Sequence, residues 1–213
     1  MRYILILVFF CTTLLAATPK AVVFDYGGVV AKIDRKPTLE FLCKSLGKSY
    51  RKIKKDFSSE KLYHAFNQSR DFWEDYANQS LPESWFETLE TYKKSMVQEI
   101  SGMRDLILQI KEQGIQVALL SNTNAHRARF IESMGGYDLF DPILLSCYLG
   151  ARKPDPKIYR RLLQSLIWDA RDTVFIDNQK SNVEASRKFG IDGIVFESIE
   201  QITAELKKRE LNL

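Results

Sequence analysis

The chain has few of the residues that bind soft metals: its 213 residues include two histidines and three cysteines. His64 and His126 do not stand with any cysteine at the spacing of zinc ligands, so the sequence argues against a zinc site. Cys43 and Cys147, the two cysteines outside the N-terminal segment, allow two interpretations. They form one disulfide in an oxidising compartment, or they are two small buried apolar side chains.

An excess of one charge is also missing, because 31 lysines and arginines face 27 acidic residues and give a net charge of +4. That imbalance is too small to predict a nucleic-acid partner. No repeat, low-complexity tract or linker rich in proline, glycine and serine interrupts the chain. With 45% hydrophobic and 27% charged residues, the sequence predicts one globular domain with a sizeable core and room for an inserted subdomain.

A long apolar run occurs at the N-terminus, where Arg2 precedes a stretch over residues 3–17 that is broken by Thr12 and Thr13. This is the form of a secretory signal peptide, and it is short for a membrane span, which needs about 20 apolar residues. We therefore predict a signal peptide over residues 1–17 and an exported protein, periplasmic or secreted. The alternative is an uncleaved anchor, which would be the protein's one attachment to a membrane.

The rest of the chain alternates short apolar runs with helical patterns, which is typical of a parallel sheet built from βαβ units. The predicted strands cover residues 21–25, 116–121, 142–146, 173–177 and 193–196. A helix is predicted to end at Gly114, and another to begin with Asp155 as its N-cap. The predicted fold class is α/β, a Rossmann-like three-layer core with helices on both faces of the sheet.

Residues 33–100 break this alternation: they show no clear strand and are rich in aromatic residues. Their helical spacing predicts a small α-helical cap, inserted after the first strand into a core made of residues 18–32 and 101–213. Most of the aromatic residues are expected to form the core of the cap itself. In open α/β sheets ligands bind outside the carboxyl ends of the strands, so an insertion at that point would form a lid.

Two predicted strands end in polar residues at this edge. The first leads into Asp25, followed by Gly27 and Gly28, which would place a carboxylate where backbone N–H groups can surround an anion. The second ends in Ser121 and Asn122, a hydroxyl and an amide that can bind phosphate oxygens. Each pair alone is also an ordinary turn.

A third strand ends in Asp177 and Asn178, which offer the oxygen ligands that Mg²⁺ takes. Lys153 stands just ahead of the helix capped by Asp155, where its ammonium group would hold a dianion near a nucleophile. Taken singly, Lys153 is equally a surface lysine. The order of these residues and their positions at strand ends carry more information than any one of them.

Taken together, the four segments resemble the haloacid dehalogenase superfamily of aspartate-nucleophile hydrolases. Asp25, Ser121, Lys153 and Asp177 match its four motifs in order, and the insertion looks like the helical cap of subfamily I. The stretches LLSNTNAHR, GARKPDPKIY and FIDNQKSNVEASRKFGI are similar to the branch that holds bacterial α-D-glucose-1-phosphate phosphatases.

This resemblance implies a phosphatase that acts on a small phosphorylated metabolite, with a sugar phosphate favoured. Asp25 would attack phosphorus and form an aspartyl-phosphate, assisted by Lys153 as the second catalytic residue. The substrate phosphate would be bound by Ser121, Asn122 and Gly28. Mg²⁺ would be held by Asp25 and Asp177, with the Gly27 carbonyl and the Asn178 amide as further ligands.

The sequence departs from the superfamily pattern at two positions. Gly27 stands where the family usually has the Asp that protonates the leaving group, although the glucose-1-phosphate phosphatase branch shares this glycine. Asn178 stands where the branch usually has a second Asp, so we expect weaker Mg²⁺ binding than at a fully acidic site. Two alternatives therefore stay open: a 2-haloacid dehalogenase, or a weak or inactive family member that only binds a ligand.

Overall fold

The computed structural model describes residues 18–58 and 70–213. The predicted signal peptide over residues 1–17 and His64 lie outside the described residues. The strands, numbered along the chain, are β1 (Ala21–Phe24), β2 (Ala31–Ile33), β3 (Val97–Glu99), β4 (Gln116–Ser121), β5 (Ile143–Leu145), β6 (Thr173–Asp177) and β7 (Asp192–Val195). The helices are α1 (Lys36–Leu46), α2 (Tyr50–Ser58), α3 (Arg70–Ala77), α4 (Glu83–Ser95), α5 (Met103–Glu112), α6 (Ala125–Ser133), α7 (Ser146–Leu149), α8 (Pro156–Ser165), α9 (Lys180–Arg187) and α10 (Ile199–Lys207).

The core is a five-stranded parallel sheet in the order β5-β4-β1-β6-β7. Strand β1 lies between β4 and β6, with Val23 opposite Ala118 on one side and Phe175 on the other. All four residues of β1 are fully buried, because helices cover both faces of the sheet and leave no face for solvent. The predicted α/β, Rossmann-like class is confirmed.

Local sequence signals explain where several elements begin and end. Strands β4 and β6 occupy the predicted ranges, since each is an unbroken apolar run that reaches a polar residue. Helix α5 is followed by Gly114, whose φ of +75° turns the chain toward β4. Helix α8 begins as predicted: Pro156 is its first residue, and the Asp155 side chain accepts a hydrogen bond from the Lys157 N–H.

Helices α1 to α4 lie between β2 and β3 in the chain and pack on a hydrophobic cluster of their own. Trp73 and Trp85 are buried there with their ring centroids 5.4 Å apart, so these aromatic residues form the core of the helical cap. Phe130 of α6 packs against the same cluster. The contact places the helix that follows β4 directly beneath the cap.

The expectation that residues 33–100 contain no strand is wrong at their end. Val97–Glu99 forms β3, which pairs antiparallel with β2 and sets Ile33 opposite Val97. The resulting two-stranded ribbon carries the chain from β1 into the cap and back to α5. Strands of three residues are too short for their hydrophobic alternation to be detected in a sequence.

Cys43 and Cys147 are both free cysteines. Cys43 packs against the hydrophobic cluster of the cap, and Cys147 packs against the core cluster on one face of the sheet. The structure therefore agrees with the second interpretation, except that both cysteines are half-buried and not fully buried. Within residues 18–58 and 70–213, no helix has both the length and the apolar character needed to cross a membrane.

Candidate active site

Three predicted site residues meet at the carboxyl edge of the sheet. Asp25 follows β1, Ser121 ends β4 and Asp177 ends β6. The strands are in register at this point, and the backbone N–H of Asp25 donates to the carbonyl of Ile176 at 2.9 Å. Because β1 lies between the other two strands, Asp25 stands at the centre of this group, and all three side chains are buried.

Lys153 reaches into this group from the loop ahead of α8. Its Nζ lies 2.8 Å from Oδ1 of Asp25 and 2.6 Å from Oδ2 of Asp177, and it donates to the Leu120 carbonyl at 2.7 Å. The lysine side chain is 1% exposed, so the ammonium group is removed from water along with both carboxylates. One ammonium group thus contacts two buried carboxyl groups and joins them into a single cluster.

Burial is the largest influence on the acidity of Asp25 and raises the pKa of its carboxyl above the ordinary value. The positive charge of Lys153 acts in the opposite direction, and the negative charge of Asp177 adds to the increase. A perturbed carboxyl at the mouth of a parallel sheet, with a specific charged partner, is typical of a functional site.

Asn122 fixes the backbone of Lys153 by two reciprocal hydrogen bonds. Its Nδ2 donates to the Lys153 carbonyl at 2.8 Å, and its Oδ1 accepts from the Lys153 N–H at 2.8 Å. The side chain that the sequence proposed as a substrate ligand is therefore used to position the lysine. No sequence signal distinguishes these two uses of an asparagine that follows a strand.

Asp177 is held by groups from the loop and helix that follow it. The Gln179 N–H donates to its Oδ1 at 2.7 Å, and Nδ2 of Asn182 donates to Oδ1 at 3.2 Å and Oδ2 at 3.0 Å. Tyr159 supports Asn182 in turn, since its hydroxyl donates to the Asn182 carbonyl at 2.8 Å. The contribution of Tyr159 was not found from the sequence, where its helical spacing indicates only a core residue.

Three donors around Asp25 have no partner within the described part of the chain: the Ser121 hydroxyl and the backbone N–H groups of Gly27 and Asn122. Such donors suit the oxygens of a phosphate group. Gly28 differs from this set, because its N–H donates to the Ala31 carbonyl at 2.9 Å. The donor predicted at Gly28 is thus already used within the turn.

The two glycines after Asp25 have different steric surroundings. Gly28 has a φ of +84°, and a Cβ at this position would lie 2.3 Å from Nδ2 of Asn178. The positive φ favours glycine at position 28, and any added side chain would also have to displace the exposed Asn178 side chain. At Gly27, the nearest atom to an added Cβ is Cδ1 of Ile33 at 4.0 Å, so a side chain would fit there.

The oxygen atoms near Asp25 are of the kind that Mg²⁺ prefers. Both oxygens of Asp177 already accept from nitrogen donors, whereas Oδ2 of Asp25 has no side-chain partner in the described structure. The Gly27 carbonyl and the Asn178 amide complete the predicted set. No group of three or more His, Cys, Asp or Glu residues suited to a metal ion occurs within the described ranges. The oxygen ligands of this set suit Mg²⁺ by their chemistry, but only two of them, Asp25 and Asp177, are carboxylates.

Comparison with known proteins places this arrangement in a family. Residues 22–196 match the family described as haloacid dehalogenase-like hydrolase. The chain is 29% identical over 190 residues to the sesquiterpene phosphatase astK of Aspergillus oryzae, covering 86% of this chain and 90% of that protein. It is also 29% identical over 122 residues to a phosphorylated carbohydrates phosphatase of Thermotoga maritima, covering 51% of this chain and 56% of that protein.

A solved structure has the same fold. The magnesium complex of a HAD family enzyme from Bacteroides thetaiotaomicron superposes with a TM-score of 0.62 at 22% identity, covering 89% of this chain and 99% of that chain. Because the family match extends over residues 22–196, the chain belongs to the haloacid dehalogenase-like hydrolases.

Proposed function

We propose that the protein is a phosphatase that hydrolyses a small phosphate monoester through an aspartyl-phosphate on Asp25. The observation that carries this proposal is the buried contact of Lys153 with both Asp25 and Asp177. It orients the Asp25 carboxylate at the sheet edge, next to unpartnered donors that suit phosphate oxygens. The position is therefore equipped for a nucleophile that attacks an anion.

In the first step, an oxygen of Asp25 would form a bond to phosphorus while the bond from phosphorus to the ester oxygen breaks. The leaving oxygen takes up a proton from water, since Gly27 offers no acid. In the second step, a water oxygen forms a bond to phosphorus while the bond from phosphorus to the Asp25 oxygen breaks. The attacking water gives up a proton to solvent, inorganic phosphate leaves and the Asp25 carboxylate is restored. Lys153 offsets negative charge on both the carboxylate and the phosphoryl group during these steps.

Mg²⁺ bound by Asp25, Asp177, the Gly27 carbonyl and the Asn178 amide would supply further positive charge against the transferring phosphoryl group. The magnesium complex of the Bacteroides enzyme supports this part of the proposal. The missing second carboxylate at Asn178 leads us to expect a relatively high Mg²⁺ requirement.

Relatives named as phosphatases of a sesquiterpene and of phosphorylated carbohydrates support phosphate ester chemistry in general. We favour a sugar phosphate, and among these a sugar 1-phosphate. An anomeric oxygen is a better leaving group than a plain alkoxide, so it depends less on the acid that Gly27 cannot provide. Comparable turnover of sugar 1-phosphates and 6-phosphates would contradict this preference.

The test is phosphate release by the purified protein from a panel of phosphate monoesters, with Mg²⁺ and with a chelator. We expect Mg²⁺-dependent release that the Asp25→Asn variant lacks. Chloride release from 2-chloropropionate without metal would instead identify a dehalogenase, for which a missing leaving-group acid is no handicap. Tight binding of an ester without any turnover would identify a family member that only binds.

A further inference from the structure

A cleft of about 580 Å³ lies beside the candidate active site, and Asn122 is the one residue that it shares with the site described above. Its walls come from the loop after β4, the start of α6, the segment around α7 and the loop ahead of α8. A volume of this size suits part of a small molecule. The residues that matter for its chemistry are Asn122, Arg127, Ser146, Arg152 and Asp155.

Two guanidinium groups give this cleft its charge. Neither Arg127 nor Arg152 forms an ion pair within residues 18–58 and 70–213, and Nε of Arg127 is buried without a hydrogen-bond partner. The carboxylate in the cleft, Asp155, has one oxygen accepting from the Lys157 N–H as a helix cap. Neither guanidinium group therefore has an acidic partner in the described structure, and an anion bound in the cleft would supply one.

The walls of the cleft are held by hydrogen bonds that do not depend on a ligand. The Ser146 hydroxyl accepts from the Thr123 N–H at 3.0 Å and donates to the Thr123 carbonyl at 3.0 Å. The Asn124 side chain accepts from the Arg127 N–H at 2.9 Å and so fixes the first turn of α6. Arg127 is therefore presented from a fixed backbone position.

The cleft also adjoins the catalytic lysine through two residues. Asn122 lines the cleft and is hydrogen-bonded to both the N–H and the carbonyl of Lys153. Arg152 also lines the cleft and immediately precedes Lys153 in the chain. An anion in the cleft would consequently lie next to the segment that holds the ammonium group between Asp25 and Asp177.

We propose that this cleft binds a second anionic group of the substrate, so that the preferred substrates are phosphate monoesters that also carry a carboxylate or another phosphate. This inference rests on the proposed phosphatase function. Arg127 and Arg152 suit either group, because a guanidinium pairs with carboxylate and phosphate oxygens through parallel N–H bonds. They act on substrate selection, while Asp25 and Lys153 act on the transferred phosphoryl group.

The experiment compares matched esters that differ in the second anion: glycerol 3-phosphate with 3-phosphoglycerate, and glucose 1-phosphate with glucose 1,6-bisphosphate. We expect kcat/KM to be about tenfold or more higher for the member with two anionic groups. The Arg127→Gln and Arg152→Gln variants should lose that advantage mainly through KM, and they should keep the wild-type kinetics on the single-anion esters. The two pairs distinguish a carboxylate from a second phosphate.

Arg171→Gln is the matched control, because the Arg171 side chain is 84% exposed. This residue lies just before β6, at the amino ends of the strands and therefore away from the cleft. It should leave the preference unchanged. Equal kcat/KM for both members of each pair in the wild type would overturn the proposal. So would arginine variants that lower the turnover of both members equally.

Binding to the Asp25→Asn variant separates this inference from the phosphatase function itself. Calorimetric titration with the same four compounds measures affinity without turnover. A dissociation constant for the two-anion compounds that rises about tenfold in Asp25→Asn/Arg152→Gln supports the cleft, even if no ester is hydrolysed. An unchanged constant overturns the cleft proposal and leaves the phosphatase proposal to its own test.

Discussion

The ammonium nitrogen of Lys153 lies 2.6 Å from Oδ2 of Asp177, a carboxylate that is completely buried at the end of β6. The same nitrogen lies 2.8 Å from Oδ1 of Asp25, so the lysine ammonium group contacts both carboxyl groups. Breaking a buried ion pair by removing one partner is strongly destabilising, because the charge left behind has no compensation. The stability of the fold and the activity of the site therefore depend on the same lysine.

The Lys153→Met variant should lose about 3–5 kcal/mol of unfolding free energy at neutral pH, because Asp25 and Asp177 would face each other without a cation. Phosphatase kcat should fall by about 10²–10³-fold. Urea unfolding and steady-state kinetics measure the two effects. The control is Lys20→Met, since Lys20 lies 3.4 Å from Asp172 and its side chain is 49% exposed. That variant should change stability by less than about 1 kcal/mol, and an equal loss in both variants would contradict the prediction.

The raised pKa of Asp25 predicts how stability depends on pH. Burial favours the protonated carboxyl in the folded state, so the folded protein holds this proton more tightly than the unfolded chain, where the pKa is near 3.8. The unfavourable contribution of Asp25 is therefore absent below pH 3.8 and grows as the pH rises through the raised pKa. Relative to wild type, Asp25→Asn should become more stable as pH increases.

Urea unfolding of both proteins between pH 3 and pH 8, without divalent cations, measures this difference. A relative stability of Asp25→Asn that falls with rising pH would show that Lys153 outweighs burial.

Much of the site followed from the sequence because it depends on strand ends. Between their polar end residues, the runs that became β4 and β6 are apolar, which identifies them as central strands of a parallel sheet. Parallel strands present their carboxyl ends at one edge, so the convergence of Asp25, Ser121 and Asp177 required no knowledge of distant contacts.

Other features depend on side-chain directions that a sequence does not contain. The reciprocal bonds of Asn122 with Lys153 join residues 31 positions apart, and the bond from Tyr159 to Asn182 spans 23. The ribbon of β2 and β3 was missed because its strands derive their stability from pairing with each other. The sequence likewise gives no sign that Nε of Arg127 is buried without a hydrogen-bond partner.

The free space at Gly27 predicts that a leaving-group acid can be restored. Because an added Cβ would approach no atom closer than 4.0 Å, Gly27→Asp should fold normally and place a carboxyl two residues after Asp25. General acid catalysis is typically worth about 10²–10⁴-fold, so turnover of sugar 6-phosphates should rise within that range. Sugar 1-phosphates, with a better leaving group, should gain less.

Gly28→Ala is the steric counterpart of that variant. Its Cβ would lie 2.3 Å from Nδ2 of Asn178 at a φ of +84°, so we expect lower stability and lower activity from a single methyl group. Thermal unfolding of Gly28→Ala and Gly27→Asp compares the stability of the two variants. We expect Gly28→Ala to be the less stable of the two. Equal destabilisation by both substitutions would mean that the turn, and not the space around each glycine, decides the outcome.

The carboxamide of Asn178 predicts the response of the protein to magnesium. Asn178→Asp adds a negative charge beside Asp25 and Asp177, and an added carboxylate ligand strengthens the binding of a hard cation. The Mg²⁺ concentration for half-maximal phosphatase activity should therefore fall. Gln179→Glu is the matched control, because it adds the same charge one residue later at an exposed position. A similar decrease in both variants would assign the effect to the general field of the added charge, whereas a decrease confined to Asn178→Asp identifies position 178 as a ligand of the ion.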